Sequence, residues 1–156
     1  MTTRPREPAD PQIVLALRAA GCVFAEDEAA LLVEAGGSAV DLSARVMRRV
    51  AGEPLEVILG WAEFAGLRIA IAPGVFVPRR RSEYLVRQAI RLAARDAIVV
   101  DLCCGSGALG AAMAAAVPGI QLFASDIEPA AVRCAAVNLN GIGEVFEGDL
   151  FAALPD

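Results

Sequence analysis

Five residues of this chain, Asp101, Gly105, Gly107, Gly110 and Asp126, have types and spacings that could do chemistry. They fall in residues 97–110, AIVVDLCCGSGALG, and residues 121–129, QLFASDIEP. An apolar, β-type run ends on Asp101, a turn carries Gly105 and Gly107, a helix-type run opens through Gly110, and a second apolar run ends on Asp126. A strand-to-helix turn approaches a ligand closely only where side chains are absent, and glycine also accepts backbone angles that other residues resist. In open α/β sheets the ligand lies beyond the carboxyl ends of the strands, where a carboxylate about 20 residues past the turn binds ribose hydroxyls. Asp126 holds that position, so the pattern predicts a nucleotide-binding crevice. The Gly-x-Gly-x-x-Gly spacing suits NAD as well as other adenosine-containing ligands and leaves the ligand class open. The competing explanation, a tight turn with Asp126 capping the next helix, does not account for strand, turn, helix, strand and acid occurring in that order.

Alternating strands and helices must position these residues, which predicts a parallel sheet in an α/β fold. Strands are expected near 98–102, 121–125 and 144–146. Helices are expected near 108–116 and from Pro129 to a stop at Asn140-Gly141. Upstream, Ser82 is expected to cap a helix through Leu85, Val86, Ala89 and Ile90, whose apolar positions recur at helical spacing. Phe64, Ile69, Ile71, Val75 and Val77, punctuated by Ala65-Gly66 and Pro73-Gly74, read as a β-hairpin. The first 60 residues read as helical. Asp10 caps and Pro11 opens a helix that shows Ile13, Val14 and Leu17 before Gly21. A second runs from Glu26, Asp27 and Glu28 through Leu31, Leu32 and Val33 to Gly36-Gly37. A third covers about 41–50, with Leu42, Val46 and Val50 on one side, and Pro54 begins a short fourth toward Leu59.

Composition narrows the function classes. Of 156 residues 56% are hydrophobic, enough for a core, yet the apolar runs are interrupted well before the roughly 18 residues that span a bilayer. A soluble protein with no membrane partner is expected. The polar, proline-containing start, residues 1–10, lacks the apolar centre of a signal peptide, so a cytoplasmic location is expected. A net charge of −5 argues against a protein built mainly to bind nucleic-acid phosphate. Arg79, Arg80 and Arg81 are a local exception, either a solvated loop or a recognition patch for an acidic partner segment. Cys22, Cys103, Cys104 and Cys134 form no Cys-x-x-Cys pattern and histidine is absent, so no metal is expected. Cys103 and Cys104 are expected to be reduced thiols with no histidine to activate them.

Four segments carry a resemblance: residues 52–86, GEPLEVILGWAEFAGLRIAIAPGVFVPRRRSEYLV; DLCCGSGALG; DIEPAAVRCAAVNLNG; and residues 144–155, EVFEGDLFAALP. Together and in this order they resemble the S-adenosylmethionine-dependent protein-(glutamine-N5) methyltransferases of the PrmC/HemK type. The resemblance runs from about Gly52 to the last residue. It points to a related branch whose protein substrate is less defined, because Pro78-Arg79-Arg80-Arg81-Ser82-Glu83 stands where the release-factor enzymes show Arg-Pro-Glu-Thr-Glu after the proline.

The resemblance implies a Rossmann-like class I methyltransferase sheet, of which this chain holds the first half. Residues 1–60 would be a helical substrate-recognition module, 61–81 the hairpin connector and 82–156 the S-adenosylmethionine-binding domain. The cofactor turn would be Cys103, Cys104, Gly105, Ser106 and Gly107, with Asp126 on the ribose and Ile127, Asp149 and Leu150 at the adenine. Asp101 would orient the turn and face the methionine amino group. Arg79, Arg80, Arg81 and Glu83 would lie toward the substrate, a glutamine-bearing protein such as a peptide chain release factor. The Asn-Pro-Pro-Tyr motif that holds the amide in that family is absent from the sequence, so no catalytic residue is assigned and the chain alone is expected to be inactive. A fragment of an NAD-dependent oxidoreductase, a non-catalytic fragment whose incomplete sheet is finished by another chain, and an adenine-N6 DNA methyltransferase are the alternatives.

Overall fold

Capping residues set out the helices of the first part of the chain. The computed structural model describes residues 10–155. Residues 1–9, which belong to the start read above as lacking a signal peptide, and Asp156 lie outside the described residues. The chain divides into two units, Met1–Leu59 and Gly60–Asp156. In the first, α1 (Pro11–Ala19) opens with the Asp10 carboxylate accepting the Gln12 N–H at 2.8 Å. Pro11 stands where a helix needs no donor. Three acids begin α2 (Ala25–Glu34), where the helix dipole favours negative charge. Helix α3 (Ala39–Val50) starts two residues before the position expected from sequence. Ser38 and Asp41 form a capping box, with the Asp41 N–H donating to Ser38 Oγ at 3.2 Å and the Ser38 N–H to Asp41 Oδ2 at 2.8 Å, so Asp41 is the third helical residue. After α4 (Leu55–Leu59) the unit closes on a core of Leu17, Ala25, Ala29 and Leu32, all fully buried, with Cys22 and Ile58. Arg49 Nε reaches Glu28 Oε2 at 2.6 Å and ties α3 to α2.

The second unit begins with an antiparallel hairpin, β1 (Trp61–Phe64) and β2 (Leu67–Ala70). Its two-residue turn has positive φ at both Ala65 (51°) and Gly66 (77°), the conformation that matches the twist of the flanking strands. The Arg68 guanidinium lies 4.1 Å from the centre of the Trp61 ring. The strands end at Ala70, earlier than the apolar pattern implied. Ile71 and Val75 are buried and Val77 half-buried, but all three lie in the loop that follows. A single 3-10 turn, Arg80–Ser82, leads into α5 (Glu83–Leu92). Ser82 does not cap α5 as expected. Its backbone is already helical (φ −70°, ψ −14°), whereas a side-chain cap requires extended geometry.

Strands and helices then alternate: β3 (Ile98–Leu102), α6 (Ala108–Ala116), β4 (Gln121–Asp126), α7 (Pro129–Asn138) and β5 (Glu144–Glu147), ending in a 3-10 turn at Leu150–Ala153. The sheet order is β3-β4-β5, all parallel, with Asp101 beside Ala124 and Ala124 beside Val145. This is an α/β fold in which α6 and α7 are the crossovers. The small side chains of α6 bury Ala108, Ala111 and Ala112 and let the helix lie close to its neighbours. Among the described residues, the outer edge of β3 has no strand partner, and Ile98 and Val100 are exposed on that strand. No helix of the described residues is long and apolar enough to cross a membrane.

Candidate functional site

The carboxyl ends of β3 and β4 are joined through one turn. Beyond Leu102 the backbone takes positive φ at Cys103 (54°), Gly105 (56°) and Gly107 (73°). The Cys104 N–H donates to the Ser125 carbonyl at 3.0 Å, and the Gly107 N–H returns to the Cys104 carbonyl at 2.8 Å. The Gly105 N–H donates to Asp126 Oδ2 at 2.8 Å, while the Glu128 N–H donates to Oδ1 of the same carboxylate at 3.0 Å. Asp126 therefore holds the turn and opens the loop toward α7. A carboxylate has about four acceptor positions, so it keeps acceptor capacity for a ligand hydroxyl.

Each of the three glycines has its own reason to be glycine. A Cβ at Gly107 would stand 3.1–3.2 Å from Leu139 and Ala135 side-chain atoms of the α7 region, and one at Gly110 would stand 3.2 Å from Asp101 Oδ2 and Leu122. A Cβ at Gly105 would meet nothing within 4 Å, so the turn is open there to an approaching group. Gly107 is also the N-cap of α6 and brings no side chain to that role. Asp101 supplies it from β3, its Oδ2 accepting the Gly110 N–H at 2.9 Å.

The rim after β5 is fixed by another buried group. Ser125, fully buried on β4, donates its hydroxyl to the Leu150 carbonyl at 3.1 Å, and the Gly148 N–H donates to the Asp126 carbonyl at 3.0 Å. Leu150 has φ 48°, the second non-glycine left-handed residue at this end of the sheet after Cys103. Such a residue costs roughly 1–3 kcal/mol and persists where its surroundings fix it. Ile127, Asp149 and Leu150 are exposed, which leaves two apolar side chains and a carboxylate open to solvent beside Asp126.

Burial sets the electrostatics. It pushes the Asp101 carboxyl up to about 6 despite the Gly110 N–H that stabilises its charge, and the nearby Asp126 charge adds to the rise. The Cys104 thiol is pushed up to about 12, again first by burial and then by Asp101 and Asp126. Cys104 is therefore inert as a nucleophile, whereas Cys103 is exposed in the turn. Among the described residues no group of three or more Cys, Asp or Glu side chains is placed to hold a metal ion.

The remaining candidates lie on the approach to α5. Arg79, Arg80 and Arg81 are exposed, and none forms an ion pair with a carboxylate among the described residues. The Arg79 guanidinium lies 5.2 Å from the centre of the exposed Phe76 ring. Glu83 is engaged within the unit, accepting the Ala65 N–H of the hairpin turn at 3.1 Å and facing Arg87 at 3.8 Å. Sequence reasoning missed Ser125 and Asn138. Asn138, at the end of α7, donates to the Ser106 carbonyl of the turn at 2.8 Å. The only hint was that each is a polar residue in an otherwise apolar stretch.

The methyltransferase small domain family matches residues 66–156, more than half of the chain. The chain belongs to this family. A methyltransferase small domain has no place in the oxidoreductase reading, which is set aside. A release factor glutamine methyltransferase of Geobacter sulfurreducens is 39% identical over 114 residues, 71% of this chain and 40% of that protein. A 4-amino-L-phenylalanine/4-methylamino-L-phenylalanine methyltransferase of Streptomyces pristinaespiralis is 38% identical over 119 residues, 71% of this chain and 41% of that protein. The chain thus spans about two fifths of the length of these curated relatives. Among solved structures, Pyrococcus abyssi tRNA (uracil-54, C5)-methyltransferase in complex with S-adenosyl-L-homocysteine aligns with a TM-score of 0.48 and 21% identity, over 57% of this chain and 23% of that one.

Proposed function

We propose that this methyltransferase small domain binds S-adenosylmethionine and belongs to an enzyme that methylates the side-chain amide nitrogen of a glutamine in a protein substrate, such as a peptide chain release factor, in the cytoplasm. The observation that carries the reading is the bond from the Gly105 N–H to Asp126 Oδ2, with open space above Gly105. It joins a bare backbone turn and a carboxylate with spare acceptor capacity, which together give an adenosine ligand room to approach and an acceptor for its ribose hydroxyls. When bound, the cofactor would supply a methyl group on a positively charged sulfur.

The residues present fit that group. Asp126 would accept the ribose hydroxyls, and the turn Cys103–Cys104–Gly105–Ser106–Gly107 would line its backbone side. Ile127 and Leu150 would flank the adenine, with Asp149 as acceptor. Asp101, its Oδ2 occupied by Gly110, would offer Oδ1 to the methionine amino group. A cation there would draw its carboxyl back below about 6. In this reading the helical unit serves substrate recognition and the hairpin is the connector. Arg79, Arg80 and Arg81 would meet an acidic segment of the partner, a role supported by their exposure and lack of carboxylate partners among the described residues. The chain's own contribution is to bind and orient.

Calorimetric titration of the purified chain with S-adenosylmethionine, beside NAD and an Asp126→Ala variant, tests the proposal. Saturable binding that weakens tenfold or more in the variant is the expected result; binding of NAD in its place would overturn it. The free outer edge of β3 favours one second reading, a fragment completed by another chain, since an unpaired strand edge is a template for association. Dimerisation that grows with concentration in light scattering would support it, and a monomer at high concentration would count against it.

A further inference from the structure

Asn138 bonds to two segments that are far apart in sequence. Its Nδ2 donates to the Ala70 carbonyl at 2.9 Å and to the Ser106 carbonyl at 2.8 Å, and its Oδ1 accepts the Ala70 N–H at 2.8 Å. The amide orientation follows from these partners, because the flipped group would set its oxygen against two carbonyls. A carboxamide has two donor hydrogens, and here each is committed to a different element.

Ala70 ends β2 opposite Trp61, and beyond it the Ile71 N–H donates to the Gly60 carbonyl at 2.9 Å. The N–H and C=O of Ala70 itself turn to Asn138, which meets them as a neighbouring strand's peptide would. Cys134, one helical turn earlier on α7, adds its thiol to the same carbonyl at 3.2 Å. The other Nδ2 hydrogen falls on Ser106, a residue 3% exposed between the two positive-φ glycines. The Ser106 carbonyl would ordinarily receive the Gly110 N–H had α6 begun one turn earlier, but Asp101 takes that donor. Without Asn138 this buried carbonyl loses the partner it has here, and an unpaired buried acceptor is costly enough to move the turn.

We propose that Asn138 is a positioning residue that makes the β1–β2 hairpin part of the cofactor turn, so that a seated hairpin holds Ser106 and its flanking glycines in the ligand-accepting shape and a loosened hairpin lowers ligand affinity. This rests on the reading of residues 103–107 as the cofactor turn. Its consequence is that whatever engages the hairpin tunes the site through one side chain.

The test is amide hydrogen exchange on the full chain without ligand, comparing wild type, Asn138→Ala, Gly66→Val and the double variant. Gly66 has φ 77° and nothing within 4 Å of where its Cβ would stand, so a β-branched valine acts there mainly by straining the hairpin turn. The expected result is exchange about tenfold faster at Gly105 and Gly107 in both single variants, no further gain in the double variant, and unchanged protection in β4. Acceleration by Gly66→Val confined to residues 61–70, or effects that multiply in the double variant, would overturn the coupling. If Asn138→Ala loses β4 protection altogether, Gly66→Val in the wild-type background decides by the same criterion. Titration with S-adenosylmethionine is the second arm: each single variant weakens binding about tenfold and the double variant no more, whereas equal affinity throughout overturns the proposal. A wild-type chain that binds no S-adenosylmethionine would remove the cofactor reading, while the exchange data would still judge the Asn138 coupling.

Discussion

The helical unit and the sheet unit use polar side chains in opposite ways. In the first, Ser38 and Asp41 cap a helix end beside them, and Arg49 with Glu28, or Arg48 with Glu53, pair charge with charge. In the second, Asp126, Ser125 and Asn138 bond to backbone groups of turns 21, 25 and 32 residues away, and Asp101 reaches from β3 to the first turn of α6, 9 residues on. Local caps and ion pairs stabilise elements that would form anyway. Asp126 and Ser125 instead hold left-handed backbone at Gly105 and Leu150, and at Leu150 that is a shape the chain would otherwise avoid. That difference sets the ends of β3, β4 and β5, where the proposed cofactor site lies, apart from the helical unit.

The strongest way to break the comparison is at the glycines. Gly107→Val adds a β-branched left-handed residue and a Cβ within 3.2 Å of Leu139 and Ala135, which should destabilise the sheet unit by roughly 4 kcal/mol in urea unfolding. Gly21→Ala in the helical unit, at φ 86° with nothing within 4 Å, should cost only about 1 kcal/mol. Equal losses would show that the glycine turn is no more constrained than a helix end. Next in size, Leu32→Ala removes a fully buried side chain of the helical core and should lower stability by about 3 kcal/mol, seen as lost helical circular dichroism at lower urea. It should leave S-adenosylmethionine affinity unchanged.

A pH series sharpens the same contrast. Asp101 holds its proton more tightly in the fold, with its carboxyl raised from 3.8 to about 6, so between those values the native state binds more protons than the unfolded one. Stability should therefore fall as pH rises through that window and level off above it. Asp101→Asn keeps an oxygen for the Gly110 N–H and should remove the slope, gaining roughly 2 kcal/mol at neutral pH; a slope that survives would clear Asp101 of responsibility. The smallest effect is expected at Ser38→Ala, a lost cap worth about 1 kcal/mol of stability, with no change in ligand binding.

Local chemistry explains what could be read in advance. Helix α6 and the strands around it are bounded by the glycine turn and short apolar runs, and their limits agree with expectation to within a residue or two. Asp101 and Asp126 were legible because each is an acid that closes an apolar run. Ser82 misled because a preceding 3-10 turn placed its backbone in the helix, a geometry that residue type does not encode. Ser125 and Asn138 were illegible for a deeper reason. Their partners are carbonyls, which every residue has, so nothing in the partner's identity points back to them.

The hairpin carries the chain's single tryptophan, with a guanidinium 4.1 Å above its ring. Trp61 faces Ala70 across the hairpin, and Ala70 is the residue that Asn138 grips. Indole emission responds to nearby charge, and Trp61 and Arg68 sit on the two strands of the hairpin, so separation of those strands is expected to change the light the protein emits. The chain thus comes with a built-in optical gauge of whether its hairpin strands stay paired, readable at low concentration, with no label, as ligand or partner is added.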